Sequence, residues 1–277
     1  MSSQTSTALS STTRMPTIFV PHGAGPCFFM DWSPRDAWAK MGKYLQGIAA
    51  TLPRQPKAIV LVSAHWLESG FVTTGGVRPE MIFDYNGFPP HTYELKYPAP
   101  GAPKLAAEIE TLIANAQLTG GINTHRGFDH GMFIPLMMMF PEAKIPVVQL
   151  SLRNDLDPQA HLDAGRALES LRDQDILILG SGMSYHNMRG YGNPASFAPA
   201  TEFDRWLAET VALPDAQRYE ALTAWSRAPS ARLAHPPRQE EHLLPLMVVA
   251  GAAGDDAGQC VFTDKVLEVP LSGYQFG

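Results

Sequence analysis

Four runs of mostly apolar residues mark the buried strands of the predicted fold. They consist mainly of Ile, Val, Leu and Ala and occupy residues 17–20, 58–63, 145–152 and 175–180. Strands that are apolar along their whole length are typical of a parallel sheet covered by helices on both faces. The pattern therefore predicts an α/β protein.

Apolar residues at helical spacing appear between and after these strands. Asp157 followed by Pro158 is typical of an N-cap and the first residue of a helix. Because strands and helices alternate without an internal repeat or a long linker, we predict a single domain with a central, mostly parallel or mixed sheet flanked by helices. We expect helices at residues 103–116, 157–171 and 201–213, and from about Glu240 to residue 254.

Residues 76–102 interrupt this alternation. They are rich in Pro, Gly and Tyr and include the run DYNGFPPHTYELKYPAPGA. Irregular segments of this length inside a compact domain are usually functional. We therefore expect an ordered loop that acts as a lid or as a pocket wall.

Composition and charge narrow the classes of function. The 277 residues are 45% hydrophobic, as in ordinary soluble domains, and a net charge of −6 without a run of Lys and Arg argues against a nucleic-acid partner. No segment approaches the roughly 18 consecutive apolar residues of a membrane span. The two cysteines cannot form a disulfide framework, and the cytoplasm is the expected location.

The first residues differ in composition from the rest of the chain. Residues 1–14 are polar and lack the apolar core and the cleavage pattern of a secretory signal, so we expect a disordered leader. The folded domain is then predicted to span residues 15–277.

Histidines follow several of the predicted strands. His22, His65 and His186 each come at or shortly after the end of an apolar run, and His242 stands in the acidic segment RQEEHLLPL. Ligands of open α/β sheets bind outside the carboxyl ends of the strands, so these side chains are expected to converge. The arrangement predicts one buried metal site at the strand ends and favours an enzyme.

Three of these histidines are the preferred metal ligands. Neutral imidazole is a common ligand for iron and zinc, and catalytic sites use about three protein ligands and leave positions open for substrate. We predict that His22, His65 and His242 bind the metal. Glu240 and Glu241 are alternative ligands, because two histidines and one carboxylate form the usual non-haem iron site.

The remaining histidines are predicted to have different roles. His130, next to Asp129 in GFDHGMFIP, is expected to line the pocket, and His186 in GSGMSYHN is either an acid–base group or a fourth ligand. The serines at strand ends lack a GxSxG context, which argues against a serine hydrolase. Surface or local hydrogen-bonding roles are expected for His91, His125 and His235, and a structural role for His161.

Six short motifs together resemble the class III extradiol ring-cleaving dioxygenases of the LigB-like superfamily, and in particular its DOPA-dioxygenase-like branch. The resemblance covers nearly the whole chain, and it implies a single α/β catalytic domain whose mononuclear metal site opens catechols beside their hydroxyl pair. The motifs are HG at 22–23, SAHW at 63–66, FDHG at 128–131, IPVVQLSL at 145–152, SGMSYHN at 181–187 and EHLLPL at 241–246.

The resemblance also implies roles for single residues. By position, the metal ligands are His22, His65 and His242, His186 is the acid–base group, and His130 lines the pocket for oxygen and substrate. The implied metal is non-haem Fe(II), with Zn(II) as the alternative, and the reaction converts a small catechol and O2 into a muconic semialdehyde. We expect a monomer or a homodimer. The loop residues that could close over the ring are Tyr85, Phe88, His91 and Tyr93.

Two other classes of function would use the same residues. A zinc hydrolase would generate a nucleophilic hydroxide on the three histidines, with His186 as the base, and would need no oxygen. A metal-binding or sensory protein without turnover would have a closed pocket. Metal analysis combined with oxygen uptake on catechols separates these three hypotheses.

Overall fold

The computed structural model describes residues 13–277. The predicted leader, residues 1–14, lies almost entirely outside the described residues and stays a prediction. Within residues 13–277, eight strands form one mixed sheet. Their bounds are β1 Thr17–Pro21, β2 Ala58–Glu68, β3 Phe71–Thr74, β4 Gly120–Asn123, β5 Val147–Arg153, β6 Ile176–Gly182, β7 Gly258–Val266 and β8 Val269–Phe276.

The order of the strands is β4-β3-β5-β2-β6-β1-β8-β7. The four central strands β5, β2, β6 and β1 run parallel to one another. At one edge the β7–β8 hairpin pairs antiparallel with β1, and at the other edge β3 meets β5 antiparallel. The four apolar runs of the sequence form the parallel centre, which confirms the predicted α/β fold.

Eight α-helices accompany the sheet in the described part of the chain. The last of them is apolar on every side and fully buried against the central strands, as its composition requires. The bounds are α1 Ala39–Thr51, α2 Pro103–Asn115, α3 His130–Met139, α4 Pro158–Leu168, α5 Phe197–Val211, α6 Asp215–Thr223, α7 Ala231–Ala234 and α8 Leu244–Ala252. None of the helices within residues 13–277 is long and apolar enough to cross a membrane.

Two predicted helices agree closely with the structure and two begin elsewhere. The α4 helix has the predicted N-cap, because the Asp157 side chain accepts a hydrogen bond from the Gln159 N–H at 3.2 Å. The helix expected from about Glu240 begins only at Leu244, immediately before Pro245, since a proline fits the first turn of a helix. The helix expected from residue 201 begins earlier, at Phe197.

The loop at residues 76–102 packs along the body of the domain, as predicted for a pocket wall. Isolated bridges join Met81 to Phe128 and Gly101 to Val147, and a short 3-10 helix spans Pro90–Glu94. Tyr85 in this loop is buried. The loop therefore has fixed contacts with β5 and with the segment that precedes α3, the helix that begins at His130.

Candidate metal centre and its pocket

His22 and His242 are held together by the ends of β1 and β6. His22 directly follows β1, and its N–H donates to the Gly182 carbonyl at 3.1 Å, while the Met183 N–H donates to the His242 carbonyl at 2.9 Å. A side chain at Gly182 would overlap the His242 carbonyl oxygen, so glycine permits this close approach. The backbone thus places both imidazoles at the carboxyl edge of the sheet.

His65 lies within β2, which extends beyond residue 63, where the predicted strand ends. The ladder between β2 and β5 shifts in register between Val62 and Leu67, so the segment that carries His65 departs from regular pairing. Such irregularities re-aim side chains and are common next to active sites. The strand is therefore longer than predicted, and its irregular segment directs His65 towards His22.

A buried carboxylate supports the backbone of His65. Asp129 is inaccessible to solvent and accepts a hydrogen bond from Ser63 Oγ at 2.7 Å, and Ser63 Oγ in turn accepts the His65 N–H at 3.2 Å. Gln149 and Arg126 also donate to Asp129. Burial raises the pKa of Asp129, although the hydrogen bonds from Ser63 and Gln149 oppose this effect.

The three predicted ligands converge. Nε2 of His22 lies 3.3 Å from Nε2 of His65, and one ring nitrogen from each of His22, His65 and His242 lies within 4.8 Å of the other two. Burial, followed by the charges of neighbouring histidines, lowers the pKa of His22 and of His242 well below the ordinary value. Burial likewise lowers the pKa of His65 to about 3. All three imidazoles are therefore neutral near pH 7 and have lone pairs to donate.

The donor set fits a divalent metal ion. Nε2 of His242 is buried and has no hydrogen-bond partner, which costs about 1–3 kcal/mol unless another ligand satisfies it. The Nδ1 atom of the same ring lies 3.0 Å from Glu241 Oε1. This contact fixes the proton on Nδ1 and leaves the lone pair of Nε2 for a metal ion, as is typical of carboxylate-supported ligands.

The alternative carboxylate ligands have other contacts. Glu241 faces the outer nitrogen of His242, and burial raises the pKa of its carboxyl group. Glu240 forms an ion pair with Arg232. Glu241 also forms a second group of possible donors with His186 and His242, whose ligand atoms lie within 4.8 Å of one another, but neither glutamate belongs to the group formed by His22, His65 and His242.

His186 stacks on His242. The two ring centroids are 3.4 Å apart with an angle of 15° between the planes, and His186 Nδ1 lies 3.6 Å from Glu241 Oε1. Burial lowers the pKa of His186 to about 4. His186 is therefore neutral near pH 7 and lies at the rim of the three-histidine set.

His130 is the first residue of α3 and lies beside His65, with ring centroids 3.9 Å apart. Its Nδ1 lies 2.8 Å from Oδ1 of Asp84, a residue of the long loop that sequence reasoning did not single out. Burial alone would raise the pKa of Asp84, but hydrogen bonds from His130 and the nearby charges of His130 and His65 hold it below its ordinary value.

The other four histidines lie outside this cluster. His161 accepts the Arg153 N–H at Nε2 and donates from Nδ1 to the Asp157 carbonyl, which confirms the expected structural role. His235 is buried and donates to the Ser184 carbonyl at 3.0 Å. His91 contacts the Phe29 carbonyl and is exposed, and His125 is also exposed.

A cavity of about 410 Å³ opens next to the histidines. This volume lies in the range of about 300–1,000 Å³ that is typical of small-molecule sites. Of the four loop residues predicted to close over a ring, Tyr85 and Phe88 line the cavity. His91 and Tyr93 are not part of its lining. The five histidines that border it are His22, His65, His130, His186 and His242.

Sequence comparison connects this geometry with known enzymes. Residues 16–273 match the family described as the catalytic LigB subunit of aromatic ring-opening dioxygenase. The chain is 37% identical over 283 residues to the dioxygenase tasH of Hapsidospora irregularis, covering 96% of this chain and 87% of that protein. It is 40% identical over 248 residues to a 4,5-DOPA dioxygenase extradiol of Beta vulgaris, covering 87% and 88% of the two chains.

Bacterial relatives extend the similarity to a solved structure. A 4,5-DOPA dioxygenase extradiol of Escherichia coli K12 is 34% identical over 270 residues, which cover 96% of this chain and 93% of that protein. The crystal structure of an uncharacterized protein from Escherichia coli K12 superposes with a TM-score of 0.77 at 29% sequence identity. The superposition covers 95% of this chain and 100% of that one.

Proposed function

Because the chain belongs to the LigB family of aromatic ring-opening dioxygenases, in the DOPA-dioxygenase-like branch of the class III extradiol enzymes, we propose that it inserts O2 into a catechol. The ring would open beside the hydroxyl pair and give a muconic semialdehyde. One observation carries this proposal: three neutral histidine nitrogens converge at the base of a cavity that can hold an aromatic ring.

We assign metal binding to His22, His65 and His242, within a catalytic domain that spans residues 15–277. The metal is Fe(II) in this proposal, and Zn(II) is the alternative for the same three nitrogen donors. When bound, a redox-active divalent ion brings catechol and O2 together and passes electron density from the ring to oxygen. Because the imidazoles are neutral, they do not neutralise the positive charge of the ion. The ion would therefore attract an ionised catechol.

His186 is the proposed acid–base group. It borders the cavity as a neutral imidazole, so it can take a proton from a catechol hydroxyl at neutral pH. The imidazolium that forms would face the Glu241 carboxylate, which lies 3.6 Å from Nδ1. Glu241 would thereby stabilise His186 after proton transfer and orient the adjacent His242.

His130 is the proposed hydrogen-bonding partner of the reacting oxygens. The contact with Asp84 places the Nδ1 proton against the carboxylate, so that Nε2 is the nitrogen left for the cavity. The two carboxylates Asp84 and Glu241 thus support different histidines of the cluster, His130 and His242 respectively.

An oxygen-uptake experiment tests this function. The protein is loaded anaerobically with Fe(II) and mixed with 4-methylcatechol in air-saturated buffer while an electrode records oxygen. We expect uptake of one O2 per catechol together with a yellow ring-opened product. Inactivity on every catechol, combined with ester or amide hydrolysis by the Zn(II) form, would support the hydrolase instead.

A further inference from the structure

The part of the cavity beyond the histidines has a wall of aromatic, thioether and aliphatic side chains. Trp38 and Met183 in this wall are buried, with 4% and 2% exposure, whereas Met188 is 63% exposed and marks the mouth. A substituent on a ring bound at the histidines therefore lies against this wall as it extends towards solvent. The apolar wall consists of Trp32, Trp38, Phe88, Met183, Met188 and Leu267.

Two tyrosines in the lining direct their hydroxyls to the backbone instead of to a ligand. The Tyr85 hydroxyl donates to the Thr92 carbonyl at 2.6 Å, and the Tyr191 hydroxyl donates to the Tyr185 carbonyl at 2.9 Å. Both hydroxyls are thus occupied by the backbone, and the rings contribute mainly apolar surface to the cavity. Besides the histidines, the lining includes the side-chain amide of Asn86 but no cationic side chain.

The charges around the cavity are unfavourable for an anionic substituent. The carboxylates of Asp84 and Glu241 lie against the histidines. The cations Arg35 and Lys43 line a neighbouring cleft, and Trp32 and Trp38 border both that cleft and the cavity. The side chains of Trp32 and Trp38 therefore separate these cations from a substituent in the cavity.

We propose that the cavity selects catechols with an uncharged, apolar substituent, such as a short alkyl chain or a second aromatic ring, over catechols that carry a carboxylate. Burial of alkyl or aryl surface against the apolar wall is favourable, whereas a carboxylate loses water there and finds no cationic side chain in the lining to offset that loss. An amino-acid substituent, as in DOPA, belongs to the disfavoured class. This inference rests on the proposed ring-cleaving function.

A matched pair of substrates tests the selectivity. 4-Propylcatechol and 3-(3,4-dihydroxyphenyl)propanoate have side chains of similar length and differ in charge. With the Fe(II)-loaded protein, we expect kcat/KM for the propyl compound to exceed that for the acid by at least about tenfold, since apolar pockets discriminate at about this level. Calorimetric titration of both compounds without oxygen should show the same order of affinity.

A variant at the mouth tests where the substituent lies. Met188→Arg places a cation beside the proposed path, and Met188→Gln is the matched control because it removes the apolar surface without adding charge. We expect Met188→Arg, relative to Met188→Gln, to raise the acid-to-propyl ratio of kcat/KM by at least about tenfold. An unchanged ratio would contradict the path assigned to the substituent.

The outcomes separate the two proposals. If both catechols are cleaved and the acid is the equal or better substrate, the selectivity is wrong and the ring-cleaving function stands. If neither is cleaved but the propyl compound binds more tightly, the proposed function is wrong and the selectivity of the cavity stands. Absence of both binding and cleavage would contradict both.

Discussion

Asp84 Oδ1 lies 2.8 Å from Nδ1 of His130 and also accepts the backbone N–H of that residue at 3.0 Å. The second carboxylate oxygen lies 3.8 Å from Nδ1 of His65. One residue of the loop at 76–102 therefore contacts two histidines of the cluster. The loop contributes to the chemistry of the site as well as to the wall of the pocket.

Replacement of Asp84 by Asn should lower kcat/KM by about 10- to 100-fold, the usual effect of removing a carboxylate that supports site histidines. The matched control is Glu94→Gln, an exposed carboxylate-to-amide change on the same loop, which should retain the parent value. Steady-state oxygen uptake on one catechol measures both. Equal activity in the two variants would show that Asp84 does not support His130.

Removal of a proposed ligand should release the metal. His22→Ala deletes one of three nitrogen donors, so metal content should fall from about one ion per chain to a small fraction. Elemental analysis after dialysis measures the content. His125→Ala removes an exposed imidazole outside the cluster and should keep full occupancy. Full occupancy in His22→Ala would contradict the ligand set.

Loss of the acid–base group should lower turnover without releasing the metal. His186→Ala should reduce kcat by about 10²- to 10⁴-fold while metal content and catechol affinity stay near the parent values. Elemental analysis, anaerobic calorimetry and oxygen uptake on the same preparation provide the three measurements. A variant that loses its metal as completely as His22→Ala would identify His186 as a fourth ligand.

His161 should make the fold sensitive to acid. Burial lowers its pKa to about 4 from an ordinary value of 6.5, so below pH 6.5 the unfolded chain binds a proton that the folded chain excludes. The contribution of His161 is present above pH 6.5 and is lost as the pH falls towards 4, on the order of 3 kcal/mol in total. Urea unfolding at several pH values should show a shallower decline for His161→Gln than for the parent.

The centre of the fold is predictable from sequence because its signals are local. Runs such as residues 58–63 are apolar throughout and form the parallel strands, and the pair Asp157 and Pro158 marks the start of α4. The peripheral strands β3, β4, β7 and β8 are less evident. For example, β7 is largely exposed and carries Lys265 and Asp264, so it lacks the apolar run of a central strand.

The convergence of His22, His65 and His242 is predictable because parallel strands end at one edge of a sheet. Asp84 could not be located in this way, since its place depends on how an irregular loop folds back onto α3. Nothing in the sequence separates it from the other two carboxylates of this loop, Glu80 and Glu94. The extension of β2 past His65 could not be predicted from the sequence either, because a register irregularity depends on the neighbouring strand.

Isotope incorporation tests the central claim most directly. The Fe(II)-loaded protein is supplied with ¹⁸O2 and 4-methylcatechol, and the product is analysed promptly by mass spectrometry and by its absorption. The proposed function predicts a yellow semialdehyde, opened beside the hydroxyl pair, that gains both atoms of one O2 before exchange with water. A colourless dicarboxylate opened between the hydroxyls, or catechol recovered without ¹⁸O, would contradict it.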